Sequence, residues 1–306
     1  MTMPATPAAV VIWLLIGFTA VAGSVGCGKR PLRIEDRIAL AREKPRGPQQ
    51  AAELLKVARR QLTANDRVGA HDTITAAFDQ VSAGGEEAIT TLLEVAQSYI
   101  DVDDRRTART VLNRAVEIGK ATSDPAQKAK RLADAGALFG NADTGMADPQ
   151  RARALLAEAT TLAEGVEDRF RAEALAVVAM GYVSGGMAKE AGGMVEKLEA
   201  CLAALSDARA KAEALAAASS VYAKTGDEEK AKALLGDAAS TAKGIGSPES
   251  KTYALIAVAQ ATATNGDAAA ARGLLEEADV AANQVGDPDS QANAVRQVRT
   301  ALDRLK

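Results

Sequence analysis

Residues 212–290 repeat nearly the same pattern twice. Ala-Glu-Ala-Leu-Ala at 212–216 leads into Val-Tyr-Ala-Lys-Thr-Gly-Asp at 221–227, and forty residues later Tyr-Ala-Leu-Ile-Ala at 253–257 leads into Ala-Thr-Ala-Thr-Asn-Gly-Asp at 261–267. Both copies then run through Ala, Leu-Leu and Ala to a turn. A fixed period near forty in alanine-rich sequence with helical spacing implies stacked units, each packed only on its neighbours. Aromatics make up only 3% of the chain, which deprives a β-sheet of its preferred residues and leaves an all-α fold.

The same pattern can be followed along the chain. In the clearest unit Leu215, Ser219 and Tyr222 share one face of a first helix, Gly226-Asp227 breaks it, and Ala231, Leu235 and Ala238 mark a second helix. Taking the small residue of each first helix as marker, Ala58, Ala96, Gly136, Ala179, Ser219 and Ala259 follow one another at 38, 40, 43, 40 and 40 residues. The widest spacing comes from extra residues in the turn between Gly140 and Gln150. Asp124-Pro125, Ser247-Pro248 and Asp287-Pro288 supply an N-cap and a first-turn proline at unit boundaries. After Pro288, Val295, Val298 and Leu302 begin one more helix, but Arg299 replaces the small marker, so the stack is expected to end there in a solvated cap.

This pattern resembles the tetratricopeptide repeat in a longer-helix form, the usual unit being about 34 residues. The resemblance implies a right-handed α-solenoid of about six antiparallel helix pairs plus a C-terminal capping helix, over residues 50–306. Tyr99, Phe139, Tyr182 and Tyr222 recur at one repeat position on the packing face and are expected in the core.

Ahead of the repeats, residues 1–28 contain no charged side chain, and residues 8–23 form a sixteen-residue, mostly apolar run. That is short for a membrane span, which needs roughly 20 residues, and suits the apolar core of an export signal. Ser24-Val25-Gly26-Cys27 after it resembles a bacterial lipoprotein processing site, which implies cleavage before Cys27, lipidation of Cys27 and a place in the bacterial cell envelope. Residues 1–26 are thus a signal peptide or membrane anchor, and residues 27–49 read as a basic linker punctuated by Pro31, Pro45, Gly47 and Pro48. Residues 29–46 carry a net charge of +4, and by the positive-inside bias this favours a second reading, an uncleaved anchor with the repeats facing the cytoplasm. Plain secretion is a third. The rest of the chain carries −7, which argues against nucleic acid as the main partner.

Little in the repeats suggests catalysis. His71 is the only histidine and reads as a surface residue, unable to build a zinc site or a triad on its own. Asp101, Asp103 and Asp104 resemble calcium ligands only superficially, since Arg106 and Leu112 stand where an EF-hand needs glycine and glutamate. Asn141, Asp143 and Asp148 offer oxygen ligands in the long, flexible turn, but a metal site is not expected there. The glycines at 185, 186, 192 and 193 match no phosphate loop, and Cys201 reads as a partly buried thiol. No enzyme activity, cofactor, metal or small-molecule substrate is expected.

In the family resembled, first helices line a concave groove that holds peptide segments. Carried over by position, the groove comprises Leu55, Arg59 and Leu62; Leu93, Gln97 and Ile100; Lys130, Ala137 and Asn141; Glu173, Met180 and Val183; Glu213, Ser220 and Lys224; and Tyr253, Ile256 and Gln260. Leu, Ala or Ile stands where some members place lysines that grip a terminal carboxylate, so that ligand is not implied. The expected role is a scaffold, membrane-tethered through its N-terminus, that binds a protein or peptide segment in a groove most apolar in its first two units.

Overall fold

The structure is a computed structural model that describes residues 32–305. The leader 1–26, the candidate lipidation site Cys27 and Lys306 lie outside the described residues, and residues from Ile34 onward form one compact unit. Every regular element among the described residues is helical. Six pairs follow one another: α2 (Pro48–Thr63) with α3 (Arg67–Val81), α4 (Ile89–Asp101) with α5 (Arg105–Ala121), and α6 (Pro125–Gly140) with α7 (Pro149–Glu164). Then come α8 (Asp168–Ser184) with α9 (Ala188–Leu202), α10 (Ala208–Thr225) with α11 (Glu228–Lys243), and α12 (Pro248–Thr264) with α13 (Ala268–Ala282). The last helix is α14 (Pro288–Arg304). The tetratricopeptide-like stack expected from the repeats is the fold observed.

One boundary differs from the sequence reading. Within the stretch 27–49 assigned to a linker, residues 34–42 form a helix, α1 (Ile34–Arg42), packed on α2. Ala41 is buried, and the Gln50 amide donates to the carbonyls of Arg42 (2.8 Å) and Lys44 (3.1 Å), satisfying acceptors that a helix end leaves open.

Local chemistry explains where each helix starts. A side-chain oxygen of Asp66, Asp104, Asp124, Asp148, Asp207, Asp227, Ser247, Asp267 or Asp287 accepts from backbone amides at the N-terminus of nine of these helices. Neither helix of the fourth pair has such a cap. The residue before the N-cap of the second helix takes the left-handed conformation in every pair: Asn65, Asp103, Ala147, Gly186, Gly226 and Gly266, with φ from 54° to 94°. Glycine enters that region freely and Asn or Asp at modest cost, whereas Ala147 has neither advantage.

The markers lie in the packed interior. Ala58, Ala96, Gly136, Ala179, Ser219 and Ala259 are all buried, which lets each first helix approach its partner closely, while Leu54, Leu92, Leu132, Leu175 and Leu255 fill the spaces beside them. Tyr99, Phe139 and Tyr182 are buried as expected, and Tyr222 is half-buried. On α14, Val298 is buried and Arg299 is exposed to solvent, as a cap requires.

First helices pack against the first helix of the next unit from α2 through α14, and each second helix packs against the following first helix. Successive second helices stand farther apart and are bridged by long side chains: Arg109 to Asp148 (2.8 Å), Lys120 to Glu158 (2.6 Å), Lys243 to Glu277 (2.7 Å), and Lys197 to Glu164. Close first helices and splayed second helices bend the stack, placing the first helices on the concave side.

Candidate functional site

The concave face divides into a closed part and an open part. Leu55 is fully buried, and Leu93, Ile100 and Ile256 are 7–9% exposed, so these four proposed groove residues are core side chains. As core side chains they do not present an open apolar row to solvent. Leu62 is half-buried and Gln260 exposed.

Most polar groove residues are tied across units. Arg59 reaches Glu94 at 3.4 Å, the Gln97 amide donates to Asp101 and to the Thr144 carbonyl, and Asn141 donates to the Ser184 carbonyl at 3.0 Å. Lys130, its side chain 14% exposed, lies 2.5 Å from Glu173. Tyr253 accepts from Asn293 at 3.0 Å and lies under the Arg209 guanidinium, 4.7 Å from the ring centroid. These positions serve as contacts between repeats.

The open part lies between α8 and α10, where a cleft of about 500 Å³ remains. Four of the expected positions meet there: Glu173 and Met180 from α8, Glu213 and Ser220 from α10. Position rules overlooked Val177 and Ala217, one helical turn on from Glu173 and Glu213, and Phe170 and Arg209, one turn before them. Their spacing of three or four residues from the chosen positions was the available signal. Val183 and Lys224 do not line this cleft. The floor is small and apolar and the rim is charged. Arg209 holds Glu213 through Nε at 2.7 Å, and the Ser220 hydroxyl donates to the Ala216 carbonyl.

A second cleft, about 800 Å³, opens on the other side between α11 and α13, with Leu235, Ala239 and Leu274 along it and Lys243 and Glu277 among its lining residues. No group of three His, Cys, Asp or Glu among the described residues could hold a metal ion. In the long turn, Asn141 Oδ1 accepts from the amides of Asp143 and Thr144, and Asp148 caps α7. The Arg109 bond holds the Asp148 carboxyl below the usual carboxylate range, aided by the Arg151 amide. His71 is half-exposed, as expected of a surface residue, and its Nε2 lies 3.2 Å from Asp104 of the next unit. Cys201 is partly buried. No helix among the described residues is long and apolar enough to cross a membrane.

Beside the fourth pair, the Lys230 ammonium sits 2.6 Å from the Tyr222 hydroxyl and 3.0 Å from Glu199, joining α9, α10 and α11. The hydrogen bonds to Tyr222 and Glu199 push the Lys230 pKa well above the ordinary lysine value. This cation is a structural tie rather than a base.

No family model and no curated protein matches the chain. Among solved structures it is similar to a kinesin light chain repeat protein of Podospora anserina, at 17% identity over 63% of this chain and 95% of that one, with a TM-score of 0.38. It is also similar to a Rap protein complexed with competence and sporulation factor, at 17% identity over 89% and 79%, with a TM-score of 0.36. A third is BtubC from P. vanneervenii, at 15% identity over 89% and 93%, with a TM-score of 0.37. The fold stands on helix packing and marker burial, independently of these likenesses.

Proposed function

We propose that this chain is a non-catalytic interaction scaffold that seats a segment of a partner protein in the concave cleft between α8 and α10. The supporting observation is the cleft itself: about 500 Å³ beside Val177, Met180 and Ala217, on a face where Lys130 and Asn141, among the other expected contacts, are engaged between repeats. Its acids and base are engaged with one another or with neighbours, and its one hydroxyl is spent on a helix carbonyl, which favours binding over chemistry. The N-terminus is proposed to tether the scaffold to the bacterial cell envelope, through lipid on Cys27 after cleavage of residues 1–26. The +4 segment at 29–46 favours the second reading, an uncleaved anchor with a cytoplasmic docking platform.

Three measurements test this. Tagged full-length chain is recovered from native membranes with its partners, alongside Val177→Asp/Met180→Asp. Loss of the specific partners with an unchanged circular-dichroism melt is expected, and undiminished recovery refutes the groove reading. Intact mass then separates a lipidated Cys27 terminus from a retained leader. Trp13, the chain's one tryptophan, gives the same answer by fluorescence, since processed protein lacks its emission.

A further inference from the structure

The cleft between α8 and α10 differs chemically from every other place on the concave face. At the repeat position occupied by Glu173 and Glu213, the other units carry Ala52, Thr90, Lys130, Tyr253 and Asn293. Two carboxylates one unit apart therefore flank a single cleft, and Asp207 at the start of α10 adds a third. Arg209 is the one cation among the described lining residues, and it is engaged with Glu213 and the Tyr253 ring. A carboxylate can accept about four hydrogen bonds, so one cation on each of Glu173 and Glu213 leaves both able to take another. The Glu173 side chain is 56% exposed, open to such a contact.

The floor carries a different message. Ala176, Ala210, Ala214 and Ala217 keep the two helices' surfaces low, so the empty volume lies between them, and Met180 supplies a soft, adaptable wall. Phe170, 39% exposed, adds apolar surface to the lining. Such a space takes a bulky apolar side chain, and the rim decides what may stand next to it.

We infer that the occupant is a protein segment in which a bulky apolar residue is flanked by lysine or arginine. This rests on the reading of the cleft as the partner's seat and adds its selectivity. A segment with acidic flanks would bring like charges together at Glu173, Asp207 and Glu213, which selects against it. The contacts are at the rim and solvated, so binding weakens as salt rises.

The test pans a random dodecapeptide phage library on the full-length chain in detergent micelles, with parallel panning on Met180→Asp. Ala217→Gln, which fills the cleft from the opposite wall, is the second blocking variant, and a circular-dichroism melt establishes that each variant is folded. Expected are sequences pairing Leu, Ile, Met, Phe or Trp with adjacent Lys or Arg, lost on both blocking variants. A synthetic consensus peptide should bind the Glu173→Gln/Glu213→Gln double variant about 2- to 20-fold more weakly and lose affinity with added salt. Selected peptides that depend on Met180 and Ala217 but show no basic bias, or that ignore the glutamine pair, overturn the charge selectivity and leave the seat standing. No enrichment sensitive to either blocking variant overturns both.

Discussion

Gly136 tests the packing logic most directly, because adding one methyl group there should act against the usual effect of that change. Alanine is favoured over glycine inside a helix by about 1 kcal/mol, so Gly→Ala on a helix normally stabilises. A Cβ at Gly136 would lie 2.8 Å from Leu156 Cγ and 3.2 Å from its Cδ2, on α7. Leu156 cannot retreat, because a Cβ built at Gly181 on α8 would already stand 2.7 Å from its Cδ2 on the other side. Leu156 is completely buried between them. Overpacking of this kind costs about 1–3 kcal/mol. Gly136→Ala should therefore be destabilising by about 0–2 kcal/mol after the propensity gain. Gly273 on α13 is the control: nothing lies within 4 Å of its added Cβ, so Gly273→Ala should stabilise by about 0.5–1 kcal/mol. Urea unfolding of the full chain, followed by far-ultraviolet circular dichroism, gives the two midpoints. In a Leu156→Ala background, itself costing about 2–5 kcal/mol, Gly136→Ala should turn neutral or favourable, because the obstructing side chain is gone. A Gly136→Ala midpoint raised as much as that of Gly273→Ala would refute the close approach of α6 and α7.

Two further outcomes follow from single residues. Burial pushes the Asp134 carboxyl up to about 6, against the opposing pull of Arg131 and Lys130. A raised acid makes its ionised form the costly one, so stability present below the ordinary value near 4 is lost as pH rises through about 6, by at most about 3 kcal/mol. Asp134→Asn should match the parent in urea at pH 4 and exceed it at pH 7.5, and a pH-independent difference would count against a desolvated carboxyl. Ala147, at φ 54°, holds a left-handed conformation costing a non-glycine residue roughly 1–2 kcal/mol. Ala147→Gly should raise the thermal midpoint despite glycine's looser unfolded state, and a lowered midpoint would mean the turn bears no such strain.

The stack was legible because three independent signals fall on the same period. Small markers from Ala58 to Ala259, N-caps such as Asp124 and Asp287, and turn residues such as Gly226 and Gly266 each obey local physics and agree on where units begin. Helix α1 is less legible, because Pro45 and Gly47 beside a basic run suggest a linker. Yet Ile34, Ile38 and Ala41 are spaced i, i+4 and i+7, and Ile38 and Ala41 pack into the core. The desolvation of the half-buried Asp134 had no sequence signature, because it depends on how closely neighbouring units approach.

The groove was harder to read, for a reason that follows from the hydrophobic effect. Repeat position identifies which residues share the concave row, and it did bring Glu173, Met180, Glu213 and Ser220 together. It cannot tell whether the row is open. Burying a leucine or isoleucine side chain gains about 1.5–3 kcal/mol, so a large apolar residue on a first helix packs against the next first helix whenever it can reach it. Leu55, Leu93, Ile100 and Ile256 are buried in the core in this way. Alanines at 176, 214 and 217 are too short to fill the same gap, and an unfilled cleft persists there. The apolar character that made the first two units look receptive is therefore what seals them. In a stack of this kind, a binding cleft is better sought where groove positions turn small between charged neighbours than where they turn large and apolar.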